Sequence, residues 1–229
     1  MESTSIKVIE GYERVSPFFD NQKWFDFWRK NEGPIILEWL KKNSIKKLLD
    51  AGCGTCPYYP LAKNYVEHYY GIDPSEGMLS KAKEKFYKES PNGLNLKQAD
   101  LIHIPYEDNY FDGILSTRVL SHIDLVEIGF SELSRVLRPQ KQCLITDVHP
   151  EHNYENTGFQ TPHGKISINT FKHSLENICS AAKQNGLNVV ELKEFDFNSL
   201  SYKPKQKLRK LRKFPENKIF YLLILEKTK

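Results

Sequence analysis

The stretch Lys46–Gly54, KKLLDAGCG, limits what this chain can fold into more than any other. Leu48 and Leu49 form an apolar run that ends in Asp50. Gly52 and Gly54 then flank Cys53, and Thr55-Cys56-Pro57 follow. Such a run reads as a buried parallel strand entering a tight glycine turn, with a helix starting at Pro57. Proline suits a first helical turn because its missing N–H loses no bond there and its φ is already set. Glycines let the backbone approach a ligand closely, and a helix N-terminus offers unpaired N–H groups. The turn therefore reads as one that handles a nucleotide. A dinucleotide fingerprint would place a third glycine where Pro57 stands, and a phosphate loop would need G-K-[ST], which is absent. An acid directly after the strand, in D-x-G-x-G, suits a ligand carrying an amino-acid group better than a pyrophosphate.

Further strand-then-acid units follow in order. Tyr69-Tyr70-Gly71-Ile72-Asp73 reads as a second strand, with Asp73 placed 23 positions after Asp50. An acid about 20 residues beyond a glycine turn is well placed for a ribose diol. Pro74 and Ser75-Glu76-Gly77-Met78-Leu79 open a helix. Leu94–Ala99 leads to Asp100-Leu101, and Tyr110-Phe111-Asp112-Gly113-Ile114-Leu115-Ser116 runs into Thr117-Arg118-Val119-Leu120-Ser121-His122-Ile123. Singly, each acid after a strand is commonly a helix cap; four strand-end motifs in register are not.

From Leu48 to Pro139 these motifs resemble the class I S-adenosylmethionine-dependent methyltransferases, in particular their ubiquinone/menaquinone-biosynthesis-like small-molecule group. The resemblance implies S-adenosylmethionine as cofactor. The loop of Asp50, Gly52, Cys53 and Gly54 would wrap its methionine part, and Asp73, with Pro74 and Met78 beside it, would hold the ribose. Asp100 would meet the adenine amino group, the Leu101 N–H a ring nitrogen, and Thr117 would line the cofactor under the substrate. Cys56 stands where that family usually has glycine.

The implied fold is α/β and Rossmann-like: seven mostly parallel strands in the order 3-2-1-4-5-7-6, the last antiparallel. Helices would lie on both faces, under an N-terminal helical lid. Residues 1–229 read as one methyltransferase domain, with a lid over 1–44, a cofactor core over 45–147 and substrate-side elements over 148–229. Helices are expected over Pro57–Tyr65, Glu76–Lys88, Leu125–Leu137 and Phe171–Gln184. The fifth, sixth and seventh strands are expected over Gln142–Asp147, Leu187–Lys193 and Lys218–Lys227. Alternation with short loops implies right-handed crossovers, so the acids gather at the carboxyl ends of the strands.

Composition agrees with one sizeable soluble domain: 229 residues, 39% hydrophobic, 27% charged, net charge +4. No apolar run has the length of a membrane span and the first residues do not read as a signal peptide, so no membrane partner is expected. Four scattered cysteines fit a reducing, cytoplasmic setting. Cys53 and Cys56 form a C-x-x-C pair, readable as a redox or metal motif, yet no second such pair completes a zinc site.

The N-terminal segment is unusually aromatic, and Ile35, Ile36, Trp39 and Leu40 recur at helical spacing. It reads as two helices on the sheet edge that also fold over the cleft, with Tyr12 and Phe19 as candidate ligand contacts. After the fifth strand, the long insert between Asp147 and Phe171 is a candidate substrate pocket, with His152 and His163 in it. Ile166–Asn169 is expected to pair only briefly.

Methyl transfer from a sulfonium is an in-line displacement, so positioning dominates, and a base helps when the acceptor is an O, N or acidic C nucleophile. His149, directly after the fifth strand, is the first candidate base and His122 the second. His149, His152 and His163 with Glu151 and Glu155 could alternatively gather a metal; none is assigned. The expected partner is a small-molecule methyl acceptor. The basic run Lys203–Lys213, KPKQKLRKLRK, keeps a tRNA methyltransferase open as a rival, although no aromatics are interleaved with it. A non-catalytic cofactor-binding subunit is the other alternative.

Overall fold

Strands that are apolar on both faces must be covered on both faces. Strand β4 (Phe111–Thr117) is buried at every position, and β1 (Lys47–Ala51) at all but its first. The computed structural model describes residues 7–22, 24–88, 93–152, 156–203 and 217–228 and shows how the cover is built. The sheet continues with β2 (His68–Asp73), β3 (Leu94–Gln98), β5 (Leu137–Val148), β8 (Leu187–Asp196) and β9 (Lys218–Lys227). Its order is β3-β2-β1-β4-β5-β9-β8. The first five strands pair in parallel, and β9 runs antiparallel to both of its neighbours. This is the Rossmann-like methyltransferase topology expected from the motifs, its last strand antiparallel.

Two apolar layers flank the sheet. On one face, Ile36, Trp39 and Leu40 of α2 (Phe25–Lys42) and Leu79 and Ala82 of α4 (Glu76–Phe86) pack on Leu48 and Leu115. On the other, Phe130 and Leu133 of α5 (Val126–Val136) and Ile178 and Ala181 of α6 (Leu175–Gln184) pack on Leu49 and Ile114.

Element lengths depart most from the sequence reading in four places. The helix after the glycine turn is a single turn, α3 (Tyr59–Ala62), with Pro60 inside its first positions. The fifth strand starts at Leu137, which pairs with Phe111, and bends past Gln140 at φ 62°. Helix α6 starts later than expected, where the Ser174 hydroxyl accepts the Asn177 N–H at 3.1 Å. The insert holds a full hairpin, β6 (Asn156–Thr161) with β7 (Gly164–Asn169), rather than a short pairing. The basic run at 204–213 and Glu155 lie outside the described residues.

The N-terminal segment, α1 (Val8–Val15) and a 3-10 turn (Ser16–Asn21), spans the mouth of the sheet. Both Glu13 carboxylate oxygens accept the Gly77 N–H, at 3.0 and 3.2 Å, placing negative charge at the N-terminus of α4. A side chain at Gly77 would overlap Ser16, so only glycine permits this approach. Asp20 accepts from Thr55 Oγ1 at 2.6 Å and from Lys85 at 2.7 Å, tying the turn to the glycine loop.

Gly52 has φ +79°, and a Cβ there would overlap the Val119 side chain. Gly52→Ala combines a left-handed backbone with overpacking, and should lower the free energy of unfolding by about 2–4 kcal/mol. Urea denaturation monitored by circular dichroism measures this; an unchanged midpoint would show that the loop does not need glycine there.

Candidate active site

Parallel strands deliver their following loops to one edge, and here the loops after β1, β2, β3 and β4 meet. Asp73 ends β2. Its Oδ2 accepts the Gly54 N–H at 2.9 Å and its Oδ1 the Ser75 N–H at 2.9 Å. Ser75 in turn caps α4 by accepting the Met78 N–H at 3.1 Å. Burial raises the Asp73 pKa to about 6, against the two N–H bonds that lower it. The same cause raises Asp147 to about 6; its oxygens accept from the Ser121 and Val148 N–H groups. Asp50 lies deeper, bonded to the Tyr69 hydroxyl, and burial raises it to about 7.

A cavity of about 530 Å³ opens above these loops. Gly52, Cys53, Gly54, Asp73, Pro74, Met78, Asp100, Leu101 and Thr117 all line it. Asp50 does not; it supports the loop from beneath. Cys56 takes φ +54° and is fully buried below the same turn, so its cysteine occupies a left-handed position that favours glycine. Among the described residues no group of three His, Cys, Asp or Glu side chains is arranged to hold a metal.

A second cavity, about 400 Å³, adjoins the first and is walled by Phe25, Phe27, Trp28 and Phe159. Tyr12, Phe19, Pro57, Arg118 and His122 line both, so they stand where the two cavities meet. Tyr12 and Phe19 thus come together from the N-terminal segment, and His152 joins the wall of the smaller cavity. His163 does not; it sits in the β6–β7 turn beside Phe18. His149 lines neither cavity. It is 1% exposed, its Nε2 bonds Glu194 at 2.7 Å, and its Nδ1 accepts the Glu151 N–H at 3.2 Å.

His122 is differently held. Its Nδ1 is 3.2 Å from the Asn169 carbonyl oxygen, which can only accept, so Nδ1 carries the proton. Its Nε2 is therefore the acceptor of the Tyr12 hydroxyl at 2.8 Å. Burial, with a smaller contribution from the Arg118 charge, lowers the His122 pKa to about 4 and keeps the ring neutral. Arg118 has φ +57° and an ion pair with Glu32, whose carboxylate is fully buried and also takes the Tyr58 and Thr146 hydroxyls. Sequence patterns do not single out Glu32, Tyr58 or Thr146, since they reach one point from three separate elements.

Residues 49–145 match the family described as methyltransferase domain. A 2-phytyl-1,4-naphtoquinone methyltransferase of Nostoc punctiforme is 26% identical over 170 residues, 70% of this chain and 70% of that protein. A demethylmenaquinone methyltransferase of Bacteroides fragilis is 27% identical over 186 residues, 77% and 74% of the two chains. Among solved structures, an S-adenosylmethionine dependent methyltransferase from Mesorhizobium loti superposes with TM-score 0.66 at 17% identity, over 86% of this chain and 98% of that one. Residues 49–145 thus carry a methyltransferase domain, and the chain around them has the fold of S-adenosylmethionine-dependent methyltransferases.

The larger of the two cavities has walls that suit S-adenosylmethionine. A Cβ built on Gly54 meets nothing within 4 Å, so the loop leaves room for close approach. Asp100 Oδ1 is buried with no hydrogen-bond partner among the described residues. Among those residues, no helix is long and apolar enough to cross a membrane.

The buried acids set a pH dependence for the free protein. A carboxyl whose folded pKa is raised adds stability below its unfolded pKa, and that contribution is lost as pH rises through the folded value. For Asp50 the loss should run from about pH 4 to about pH 7. Asp50→Asn keeps an acceptor for Tyr69 and cannot ionise. Between pH 5 and pH 8 it should lose less thermal stability than the wild type; equal losses would show that Asp50 does not titrate in that window.

Proposed function

We propose that this methyltransferase transfers the methyl group of S-adenosylmethionine to a small, largely apolar, ring-bearing acceptor held in the aromatic cavity, with His122 handling the acceptor's proton. The observation that carries the reading is the junction itself. His122 is neutral, has its Nε2 lone pair turned to the Tyr12 hydroxyl, and borders both the loop cavity and the aromatic one. The names of the two curated relatives supply the acceptor type: each methylates a quinone of the naphthoquinone or menaquinone kind.

Bound, the cofactor supplies an electrophilic methyl group. The rest falls to the protein. We assign the glycine loop of Gly52, Cys53 and Gly54 to the amino-acid end of the cofactor, Asp73 to its ribose, and Asp100 with the Leu101 N–H to its adenine. Pro74, Met78 and Thr117 form the apolar and polar walls between. The N-terminal segment covers this space through Tyr12 and Phe19, which keeps water from the reacting atoms. His122 Nε2 takes the acceptor's proton after Tyr12 gives up its bond to that atom. His152 and the aromatic wall position the ring. His149, held by Glu194 away from both cavities, supports the start of the insert, and His163 has no part in the reaction.

Asp73→Ala should weaken S-adenosylhomocysteine binding by roughly 1–3 kcal/mol, since it removes a buried polar partner and frees Gly54 and Ser75. Isothermal titration gives the value, and unchanged affinity would take Asp73 off the ribose. His122→Gln should bind S-adenosylhomocysteine within a few-fold of wild type and lose roughly 10²–10⁴-fold in turnover with a naphthohydroquinone acceptor. Turnover within threefold of wild type would end the assignment of His122 as base.

A further inference from the structure

The wall of the aromatic cavity carries two arginines, Arg29 and Arg118, and two histidines, His122 and His152, and among the described residues no carboxylate. An ammonium group entering it meets cations and no counter-charge. Arg118 is the cation at the reacting end, because it borders the loop cavity as well. Its backbone sits in the left-handed region at φ +57°, costly for a residue with a Cβ and held by an N–H bond to the Thr146 carbonyl at 2.7 Å. Strain of this kind persists where surrounding structure over-determines it, commonly at sites of function.

The guanidinium is fixed from behind. Glu32 pairs with Nη1, and that carboxylate is already occupied by the Tyr58 and Thr146 hydroxyls. Trp28 lies 5.3 Å from the guanidinium carbon. The pair is neutral in sum yet oriented: Glu32 is fully buried, while the Arg118 side chain is 20% exposed to the cavities. A guanidinium has five N–H donors in a rigid fork, so binding Glu32 leaves donors for an oxygen placed between the cavities. His122 needs such help. A base of its depressed basicity takes a proton from an ordinary hydroxyl only at a cost of about 1.4 kcal/mol per pKa unit of mismatch.

We infer that the reacting group of the acceptor is a hydroxyl of phenol or enol type, bound as its oxyanion by Arg118. The inference rests on the proposed small-molecule methyltransferase reading and names the acceptor chemistry within it. The acceptor O–H bond breaks, its proton going to His122 Nε2 and from there to solvent. The oxygen lone pair forms the O–CH3 bond while the S–CH3 bond breaks, its pair remaining on sulfur, so oxyanion and sulfonium become two neutral products.

A coloured phenol tests this without turnover. 4-Nitrophenol, whose ionised form absorbs at longer wavelength, is titrated with pH in the presence of protein saturated with S-adenosylhomocysteine. Bound 4-nitrophenol should ionise at least one pH unit lower than in buffer, a tenfold shift. The double variant Glu32→Gln/Arg118→Met, which removes both charges together, should lose that shift while binding S-adenosylhomocysteine within about threefold of wild type. Thermal melting of the variant with S-adenosylhomocysteine verifies that it is folded, and Arg118→Lys, which keeps the charge, should retain part of the shift if the double variant does not fold. An unshifted ionisation, or a shift kept without Arg118, overturns the inference. A cavity that binds neutral 4-nitroaniline as tightly as 4-nitrophenol removes the oxyanion site and leaves the small-molecule reading standing; one that binds neither removes both.

Discussion

The Asp73 carboxylate joins two loops by two bonds, accepting the Gly54 N–H with one oxygen and the Ser75 N–H with the other. The first fixes the glycine turn after β1, and the second sets the residue that caps α4. Burial opposes this clamp by disfavouring the charge, and the N–H bonds oppose burial, so the acid retains a pKa of about 6 rather than a higher one. Left-handed residues at Gly52, Gly54 and Cys56 crowd one short turn. Such a turn keeps its shape only while something outside it holds it, and Asp73 is that holder. The same carboxylate faces the larger cavity, so the group that sets the loop geometry is also part of the cavity wall.

The cover over the cavities depends on that frame. Helix α1 has eight residues, too few for independent stability in water. Its position comes from contacts with other elements: Glu13 on the α4 N-terminus, Tyr12 on His122, and Asp20 of the next turn on Thr55 and Lys85. Two of these partners, Gly77 and Thr55, belong to the segments that Asp73 orders. A shift in the glycine turn would therefore reach Tyr12, and through it the proton on His122, without altering either residue. Local opening of α1 costs less than global unfolding for the same reason: a short helix is held by these side-chain bonds and by the packing of Val15 on the β6–β7 hairpin.

Much of this was legible in the sequence because it lives in short windows. The strand-turn-helix around Asp50, the acids Asp73 and Asp100, and the Leu48–Pro139 alternation each fall within a few residues of their partners, and the sheet order follows from them. The site's junction was harder to see. Tyr12 and His122 are 110 positions apart, and Glu32 meets Arg118 across 86; no period or spacing joins them. His149 was misleading for a related reason. Its place after a strand end suggested access to the cleft, but β8 supplies Glu194, and the ring turns to that edge instead. The hairpin over 156–169 was hidden by its polar content, since Phe159, Ile166 and Ile168 alone among its described residues join the apolar cluster around Val15.

The charges divide by function. Acids gather on the loop side, with Asp73 and Asp100 lining the cavity and Asp50 beneath it, while the aromatic cavity has cations and no acid among the described residues. Methyl transfer between a sulfonium and an oxyanion destroys one charge of each sign, so a site that favours both reactants pays in the transition state unless its own charges are already paired. Glu32 provides that pairing. With its carboxylate saturated by Arg118, Tyr58 and Thr146, the guanidinium can bind an oxyanion yet is not left as an isolated buried cation once the oxyanion is gone. The buried ion pair is thus better understood as a device for turnover than as a source of stability, since pairs this deep seldom stabilise a fold against an apolar replacement.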